Sequence, residues 1–359
     1  MKIALETLGC KLNQAETEML ARRFIQTGHE LVKRAEDADI YILNTCTVTH
    51  TADSKSRHLL RQARRHNPTA CIAVTGCYAD RVPLDLAKLD AVDIVIGNEG
   101  KMTLLERLQE EGYLLPVDAN LLRMTNPTLR TRAFIKIQDG CHNYCAYCIV
   151  PYVRRSENSI PADEVIRQIK QRTAEGYQEV VLTGTRIGAY DSHGMQLGDL
   201  VECILSETET PRIRLSSLQP QEITPALLKL WQNNRLCPHF HLSLQSGSDS
   251  VLKRMRRRYS SGEYEKTVAL IRTAVPMVSI TTDVIVGFPG ETDEEFNESL
   301  EFCRRLNFAR IHVFPFSPRS GTEAAQMPGQ IPENIKKEHS RLMLALAKES
   351  LQRFHKQFA

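Results

Sequence analysis

The sequence predicts an α/β protein in two parts: an N-terminal small doubly wound parallel sheet, then a partial (β/α)6 barrel with a C-terminal helix. Three observations predict it. Short runs rich in β-branched residues alternate with amphipathic helical patterns along nearly the whole chain. The alternation stops once, over residues 116–132, where Pro116, Asn120, Asn126 and Pro127 fall without periodicity and read as a linker. Beyond it come about six strand–helix rounds, short of the eight that close a full barrel.

The first part, residues 1–115, opens with KIALETL (2–8) as a strand. ETEMLARRFIQT follows as a helix, with Gly28 as its C-cap. DIYILN (39–44) is the second strand, and DSKSRHLLRQARR a second helix, basic on its outer face. CIAVTG (71–76) and DIVIG (93–97) are the third and fourth strands. TLLERLQEEG ends the domain as a helix with a capping box from Thr103 to Glu106 and Gly112 at its close.

The second part, residues 133–325, begins with the strand FIKIQ. Its rounds are ADEVIRQIKQRTAEG and EVVLTG, GDLVECILSE and RIRLSS, TPALLKLWQNN and FHLSLQ, GEYEKTVALIRTAV and VSITTDVIVG, DEEFNESLEFCRRLN and RIHVFPF. Residues 326–359 form a C-terminal extension read as one long helix over 333–358. A barrel of parallel strands carries its site at the strands' C-terminal ends.

Bulk composition narrows the function. With 42% hydrophobic and 25% charged residues the chain supports a packed core and is no disordered tail. A net charge of only +3 means that affinity for nucleic acid has to come from local basic patches. MKIALETLGC reads as a strand rather than a secretion signal, and no apolar run spans a bilayer. The expected compartment is therefore the reducing cytoplasm, with no membrane partner. There, ten cysteines serve metal or redox chemistry more readily than disulfides. Cys71, Cys203, Cys237 and Cys303 sit in strand and helix patterns and read as packing residues.

The other six fall into two trios. Cys10, Cys46 and Cys77 each come just after a predicted strand, and in open α/β sheets those strand ends line the ligand crevice. Cys141, Cys145 and Cys148 form a CxxxCxxC pattern in GCHNYCAYC (140–148), directly after FIKIQ. A zinc knuckle is one reading of the second trio. It wants four protein ligands, no second CxxC lies nearby, and His142 adjoins Cys141 too closely to serve easily. An iron–sulfur cube fits better, because three thiolates hold three irons and leave the fourth open for a small molecule.

CxxxCxxC after the first strand of a partial barrel, with Tyr147 before the last cysteine, resembles the radical S-adenosylmethionine superfamily. GCKLNQAE (9–16), NTC (44–46) and TGCYADR (75–81) resemble the methylthiotransferase family within it. So do CIVPYVRR (148–155), LTGTRIGAY (182–190), LSLQSGSD (242–249), VIVGFPGE (284–291) and FPFSPRSGT (314–322). The resemblance implies a radical-SAM barrel and two [4Fe–4S] clusters facing each other, an auxiliary one on Cys10, Cys46 and Cys77 and a radical-generating one on Cys141, Cys145 and Cys148. It implies that one S-adenosylmethionine methylates a sulfur on the auxiliary cluster. A second is cleaved to a 5′-deoxyadenosyl radical, which removes a hydrogen from the substrate, and the carbon radical takes the methylthio group.

The resemblance also assigns S-adenosylmethionine contacts to Tyr147, to Thr183, Gly184 and Thr185, to Ser243 and Gln245, to Val286 and Gly287, and to Phe316 beside Phe314. It implies a tRNA anticodon stem-loop as substrate, a reductase or flavodoxin-type electron donor and a sulfur source. Basic stretches occur at Arg61, Arg64 and Arg65, at Arg154 and Arg155, and in KRMRRR (253–258). Arg154, Arg155, Arg256, Arg257 and Arg258 are the candidates for RNA phosphates around an extruded base.

The family's branches act on isopentenyladenosine in tRNA, on threonylcarbamoyladenosine in tRNA, or on a ribosomal-protein aspartate. GCKLNQAE is most similar to the threonylcarbamoyladenosine branch, which implies methylthiolation of carbon 2 of the adenine next to the anticodon. The chain stops where the family's small RNA-binding β-barrel is expected to begin. The contrasting class is a non-catalytic iron–sulfur or zinc RNA-binding protein, which needs no S-adenosylmethionine.

Overall fold

The computed structural model describes residues 1–114 and 131–357. The linker expected over 116–132 lies outside the described residues as far as 130, and Arg132 already opens a strand. The described chain forms two compact units.

The first unit comprises Met1–Lys136, Gly140–His142 and Ile149–Glu157. Its strands are β1 (Lys2–Thr7), β2 (Glu30–Val32), β3 (Ile40–Thr45), β4 (Cys71–Gly76) and β5 (Ile94–Ile96). Its helices are α1 (Lys11–Gln26), α2 (His50–His66), α3 (Cys77–Arg81), α4 (Pro83–Ala87), α5 (Leu104–Glu110) and the short α6 (Val150–Val153). The sheet is wholly parallel in the order β2-β1-β3-β4-β5. The chain leaves β1 toward one edge and returns to build the other, so the topological switch lies between β1 and β3.

Every residue of β3 and β4 is buried, as central parallel strands require. Successive side chains alternate between two cores. Tyr41, Leu43 and Val74 pack with Leu60 and Ala63 of α2. Ile40, Ile42 and Ala73 pack with Leu20 and Phe24 of α1 and Leu108 of α5.

The second unit comprises Ile137–Asp139, Asn143–Cys148 and Asn158–Ala359. Its strands are β6 (Arg132–Asp139, the first half of which belongs to the first unit), β7 (Asn158–Ser159), β8 (Glu179–Gly184), the hairpin β9 (Asp191–Ser192) and β10 (Met195–Gln196), β11 (Arg212–Leu215), β12 (Ser217–Leu218), β13 (His239–Leu242), β14 (Ser279–Val286) and β15 (Arg310–Pro315). Its helices are α7 (Ala162–Ala174), α8 (Leu197–Glu207), α9 (Pro225–Lys229), α10 (Asp249–Arg254), α11 (Ser261–Ala274), α12 (Asp293–Leu306) and α13 (Glu333–His355).

Two four-stranded sheets, β11-β8-β6-β7 and β12-β13-β14-β15, are joined because β11 runs into β12 through Ser216. The expected strand 212–217 is thus one strand that changes partner midway: Leu215 pairs with Leu182 of β8, and Ser217 with His241 of β13. The principal strands then stand side by side in sequence order, a partial barrel of parallel strands with helices between them. Ser260 and Thr292 form capping boxes with Glu263 and Glu295 at the starts of α11 and α12.

Several boundaries differ from the sequence reading. α1 begins at Lys11 rather than at Glu16, which makes Cys10 its N-cap. Thr103 caps nothing: a 3-10 turn over Lys101–Thr103 precedes α5, Thr103 donates to the carbonyl of Gly100, and Glu106 pairs with Arg23 instead. α3, α4 and α10 are too short to show periodicity and were not anticipated.

Gly76 joins β4 to Cys77 at φ +96°, and a Cβ there would lie 2.4 Å from the Thr45 carbonyl oxygen. Gly76→Ala is expected to cost about 2–4 kcal/mol in urea denaturation, from left-handed strain plus a clash with backbone. Gly176→Ala, at φ +93° with nothing within 4 Å, should cost only about 1 kcal/mol. Equal losses at the two positions would contradict the packing argument.

Candidate functional site

In the first unit Cys10 follows β1 and caps α1, Cys46 follows β3 directly, and Cys77 follows β4 directly as the first residue of α3. These strands are neighbours, so the three cysteines stand at adjacent carboxyl ends beside the switch. Asn13 ties the rim together. Its amide nitrogen donates to the carbonyls of Leu8 and Thr45, both at 2.9 Å. The Thr45 hydroxyl donates to the Thr75 carbonyl at 2.5 Å, linking β3 to β4. Gly9 adopts φ +106°, and a Cβ there would meet Cys46 Cβ at 2.7 Å, so only glycine lets the Cys10 loop lie this close to Cys46. The Asn98 amide lies 3.7 Å from Cys77 Sγ.

Cys46 and Cys77 are buried and Cys10 is exposed. Burial pushes the Cys46 thiol up to about 12, so it ionises readily only when a cation takes the sulfur. Among the described residues no group of three or more His, Cys, Asp or Glu side chains is gathered tightly enough to hold one metal ion. Tetrahedral zinc would draw its thiolates to about 3.8 Å from one another, whereas a cube places each thiolate on a different iron. A donor set of three thiols in a glycine-shaped cradle fits the cluster.

Beneath this rim lies a feature the sequence did not reveal. Glu16, 2% exposed, receives Lys101 Nζ at 2.5 Å, Lys136 Nζ at 2.9 Å and Arg154 Nη1 at 2.8 Å. Arg154 also donates to Asn13 Oδ1 at 2.9 Å, and Lys101 to Asn98 Oδ1 at 2.9 Å. Burial works against the Glu16 carboxylate, but the three cations hold it well below the usual range. Arg154 stands close enough to Cys10, and Lys101 to Cys77, to act on them electrostatically, and positive charge there suits an anionic thiolate-held centre. The sequence reading, which started the helix at Glu16, singled out neither Asn13 nor Glu16, although both lie in GCKLNQAE, and nothing marked Lys101 as a partner.

In the segment Gly140–His142 of the same unit, the His142 ring bonds the Arg155 carbonyl at 2.9 Å, and Glu157 accepts from the His142 backbone N–H at 3.0 Å. In the second unit the Asn143–Cys148 segment rests on its own floor. Ala146 donates to the Met255 carbonyl at 3.1 Å and accepts from Ala324 at 2.8 Å, and it packs with Phe288 and Phe316, with Tyr147 at the edge. Arg257 Nη1 lies 3.4 Å from Cys145 Sγ, and its Nε donates to the Tyr259 hydroxyl at 2.9 Å. That hydroxyl in turn donates to the Ser243 carbonyl at 2.6 Å. A cation beside a cysteine sulfur stabilises negative charge there.

The residues assigned to S-adenosylmethionine lie at strand ends. Thr183 and Gly184 end β8, and a Cβ on Gly184 would sit 2.7 Å from the Gln138 carbonyl. Thr185 Oγ1 is 3.3 Å from Asp139 Oδ1. Ser243 and Gln245 follow β13, and Gln245 adopts φ +74°, uncommon for a non-glycine residue and pinned by backbone bonds to Asp283 and Ile285. Val286 ends β14, and Gly287 follows at φ +71° with Lys336 where a Cβ would be. Phe316, after β15, packs edge-on to Phe288 at 5.4 Å, while Phe314 is exposed. The structure thus brings Tyr147 and Phe316 into one cluster.

Two of the five RNA candidates are corrected. Arg154 is 5% exposed and committed to Glu16 and Asn13. Arg257 is turned inward to Cys145 and Tyr259, where the rings and sulfur outweigh the desolvation of its charge. Arg154, buried, and Arg257, half-buried, are thus turned to partners within the protein rather than outward to a phosphate. Arg155, Arg256 and Arg258 are exposed, and Arg256 pairs with Glu323 at 2.5 Å.

Residues 135–303 match the radical SAM superfamily, and residues 2–97 match the family described as uncharacterized protein family UPF0004. Among solved structures, the radical S-adenosylmethionine methyltransferase TsrM from Kitasatospora setae, with cobalamin and a [4Fe-4S] cluster bound, has the same fold: TM-score 0.66 at 14% identity, over 90% of this chain and 77% of that one. The class is therefore a radical SAM fold.

The threonylcarbamoyladenosine tRNA methylthiotransferase MtaB of Aquifex aeolicus is 41% identical over 99% of this chain and 90% of its own length. That of Bacillus subtilis is 39% identical over 99% and 82%. The tRNA-2-methylthio-N(6)-dimethylallyladenosine synthase of Geobacillus thermodenitrificans is 34% identical over 99% and 72%. The chain belongs to the methylthiotransferase family of radical SAM enzymes. Among the described residues no helix is long and apolar enough to cross a membrane.

Glu16→Gln leaves buried cations without their anion and is expected to cost about 3–5 kcal/mol at pH 7 by urea denaturation. The folded-state pKa of Glu16 is depressed, so its contribution is full above the unfolded value of about 4.3 and fades as pH falls through the folded value. The gap between wild type and variant should therefore narrow in acid, and Glu16→Gln combined with Lys101→Met should recover part of the loss. A gap that stays constant into acid would contradict the assignment.

Proposed function

We propose that this protein adds a methylthio group to carbon 2 of N6-threonylcarbamoyladenosine next to the anticodon of tRNA, in the cytoplasm. One observation carries the reading. A chain with one cysteine trio on adjacent strand ends and a second in CxxxCxxC is 37–41% identical, over at least 96% of its length, to four threonylcarbamoyladenosine tRNA methylthiotransferases.

In this reading Cys10, Cys46 and Cys77 hold an auxiliary [4Fe–4S] cluster, and Cys141, Cys145 and Cys148 hold the radical-SAM cluster. Each trio leaves one iron without a protein ligand. When bound, the clusters and S-adenosylmethionine supply the sulfur, its methyl group and the 5′-deoxyadenosyl radical, and so carry the hard chemistry.

The protein's own residues position and shield. The Glu16 quartet and Asn13 fix the rim that presents the first trio. Arg257 places positive charge at Cys145. Thr183, Gly184, Thr185, Ser243, Gln245, Val286 and Gly287 bind S-adenosylmethionine from the strand ends. Ala146, Phe288 and Phe316 form an apolar floor that keeps water and stray C–H donors from reactive carbon. Arg155, Arg256 and Arg258 are the exposed cations left for RNA phosphates near the loops. The electron donor belongs to the reductase or flavodoxin class, and a separate sulfur source replenishes what is inserted.

Mass spectrometry of tRNA nucleosides from a strain lacking the gene tests the reading. Loss of the methylthio-threonylcarbamoyl nucleoside, restored by the intact gene and not by Cys77→Ala, is expected. Its survival, with loss of the isopentenyl counterpart, would overturn the substrate assignment.

A further inference from the structure

The outer face of α2 carries Arg57, Arg61, Arg64 and Arg65, at spacings that put them on one side of the helix. Together with Lys88, beyond α4, they line an open groove of about 750 Å³ whose only acidic lining residue is Asp90. Five cations line one groove in a chain whose net charge is +3. This groove belongs to neither cysteine trio.

Its arginines are held in two ways. Arg57 donates to the Tyr78 hydroxyl at 2.6 Å, and Arg64 is pinned by the carbonyls of Pro68 and Ala70 and by Asp93. These two shape the ends. Arg61, Arg65 and Lys88 are exposed and make no ion pair among the described residues. Like charges left this close together cost energy unless an anion shares them. From Arg57, beside the residue that follows Cys77, to Arg64 the helix advances about 10 Å, so the cations are spread along the groove rather than gathered at one point.

We propose that the α2 groove is a docking track for consecutive phosphates of one strand of the tRNA stem, which rests on the tRNA reading above. Guanidinium forks suit phosphate oxygens and carry no base preference. An acidic protein partner would need an apolar patch to anchor an interface core, and the groove's lining offers only its arginine stems, Leu89 and the buried Ala91.

The test is fluorescence anisotropy of a labelled anticodon stem-loop with the full chain across a salt series. It compares wild type with Arg61→Glu/Arg65→Glu/Lys88→Glu and with the milder Gln series, all checked for unchanged melting temperature. The Glu triple should weaken binding at least about tenfold and lower the slope of log K against log salt by about 2, the Gln triple by less. Wild-type binding that the substitutions leave intact would overturn the groove and leave the tRNA reading standing. Absence of salt-dependent binding by wild type would overturn both. Competition by polyglutamate as effective as by RNA would overturn the phosphate assignment.

Discussion

The Glu16 carboxylate is where the first unit is fastened. It is buried, it cannot be left unpaired, and it has drawn three cations from distant parts of the chain: the turn before α5, the start of β6 and the segment that follows CxxxCxxC. Two of these cations have a second duty on the rim. Arg154 braces Asn13, which spans the loop before Cys10 and the end of β3. Lys101 braces Asn98, which faces the Cys77 sulfur. Buried ion pairs contribute little net stability against an apolar replacement, but breaking one is costly, so they favour a single arrangement over near alternatives. The centre proposed on Cys10, Cys46 and Cys77 would need that kind of specification, because all three sulfurs must be presented at once.

The same economy appears in the second unit. The strands supply direction, and short side-chain networks at their ends supply position. Arg257 reaches Cys145 while holding the Tyr259 ring, and Tyr259 closes onto the backbone of the β13 loop. The left-handed conformation of Gln245 is maintained by two backbone bonds to β14. Strain kept at a candidate cofactor contact is what a preorganised site shows.

Four of the first unit's five strands, the six principal strands of the second and the two cysteine trios were legible in the sequence, because each rests on local pattern: β-branched runs, turn residues, and cysteines at strand ends; the short strands β2, β7, β9 and β10, and the order of the first sheet, were not. The partner of Glu16 was not. Lys101 and Arg154 stand 85 and 138 positions away, and no periodicity reaches that far. For the same reason the basic runs misled. Arg154 and Arg155 look alike in sequence, yet one is buried against Glu16 and the other exposed, and only the tertiary partner decides which. Likewise KRMRRR divides into an outward Arg256 and an inward Arg257. The capping box at Thr103 failed because a 3-10 turn occupied the position where the helix was expected to start.

The account rests on each trio holding its own iron–sulfur centre. Iron, acid-labile sulfide and zinc analysis after anaerobic reconstitution tests this directly, on the whole chain and on variants with one trio replaced by alanine. About eight irons and eight sulfides per chain are predicted, and about four of each when either trio is removed. Zinc without sulfide, or a full complement of iron that survives removal of Cys10, Cys46 and Cys77, would contradict it.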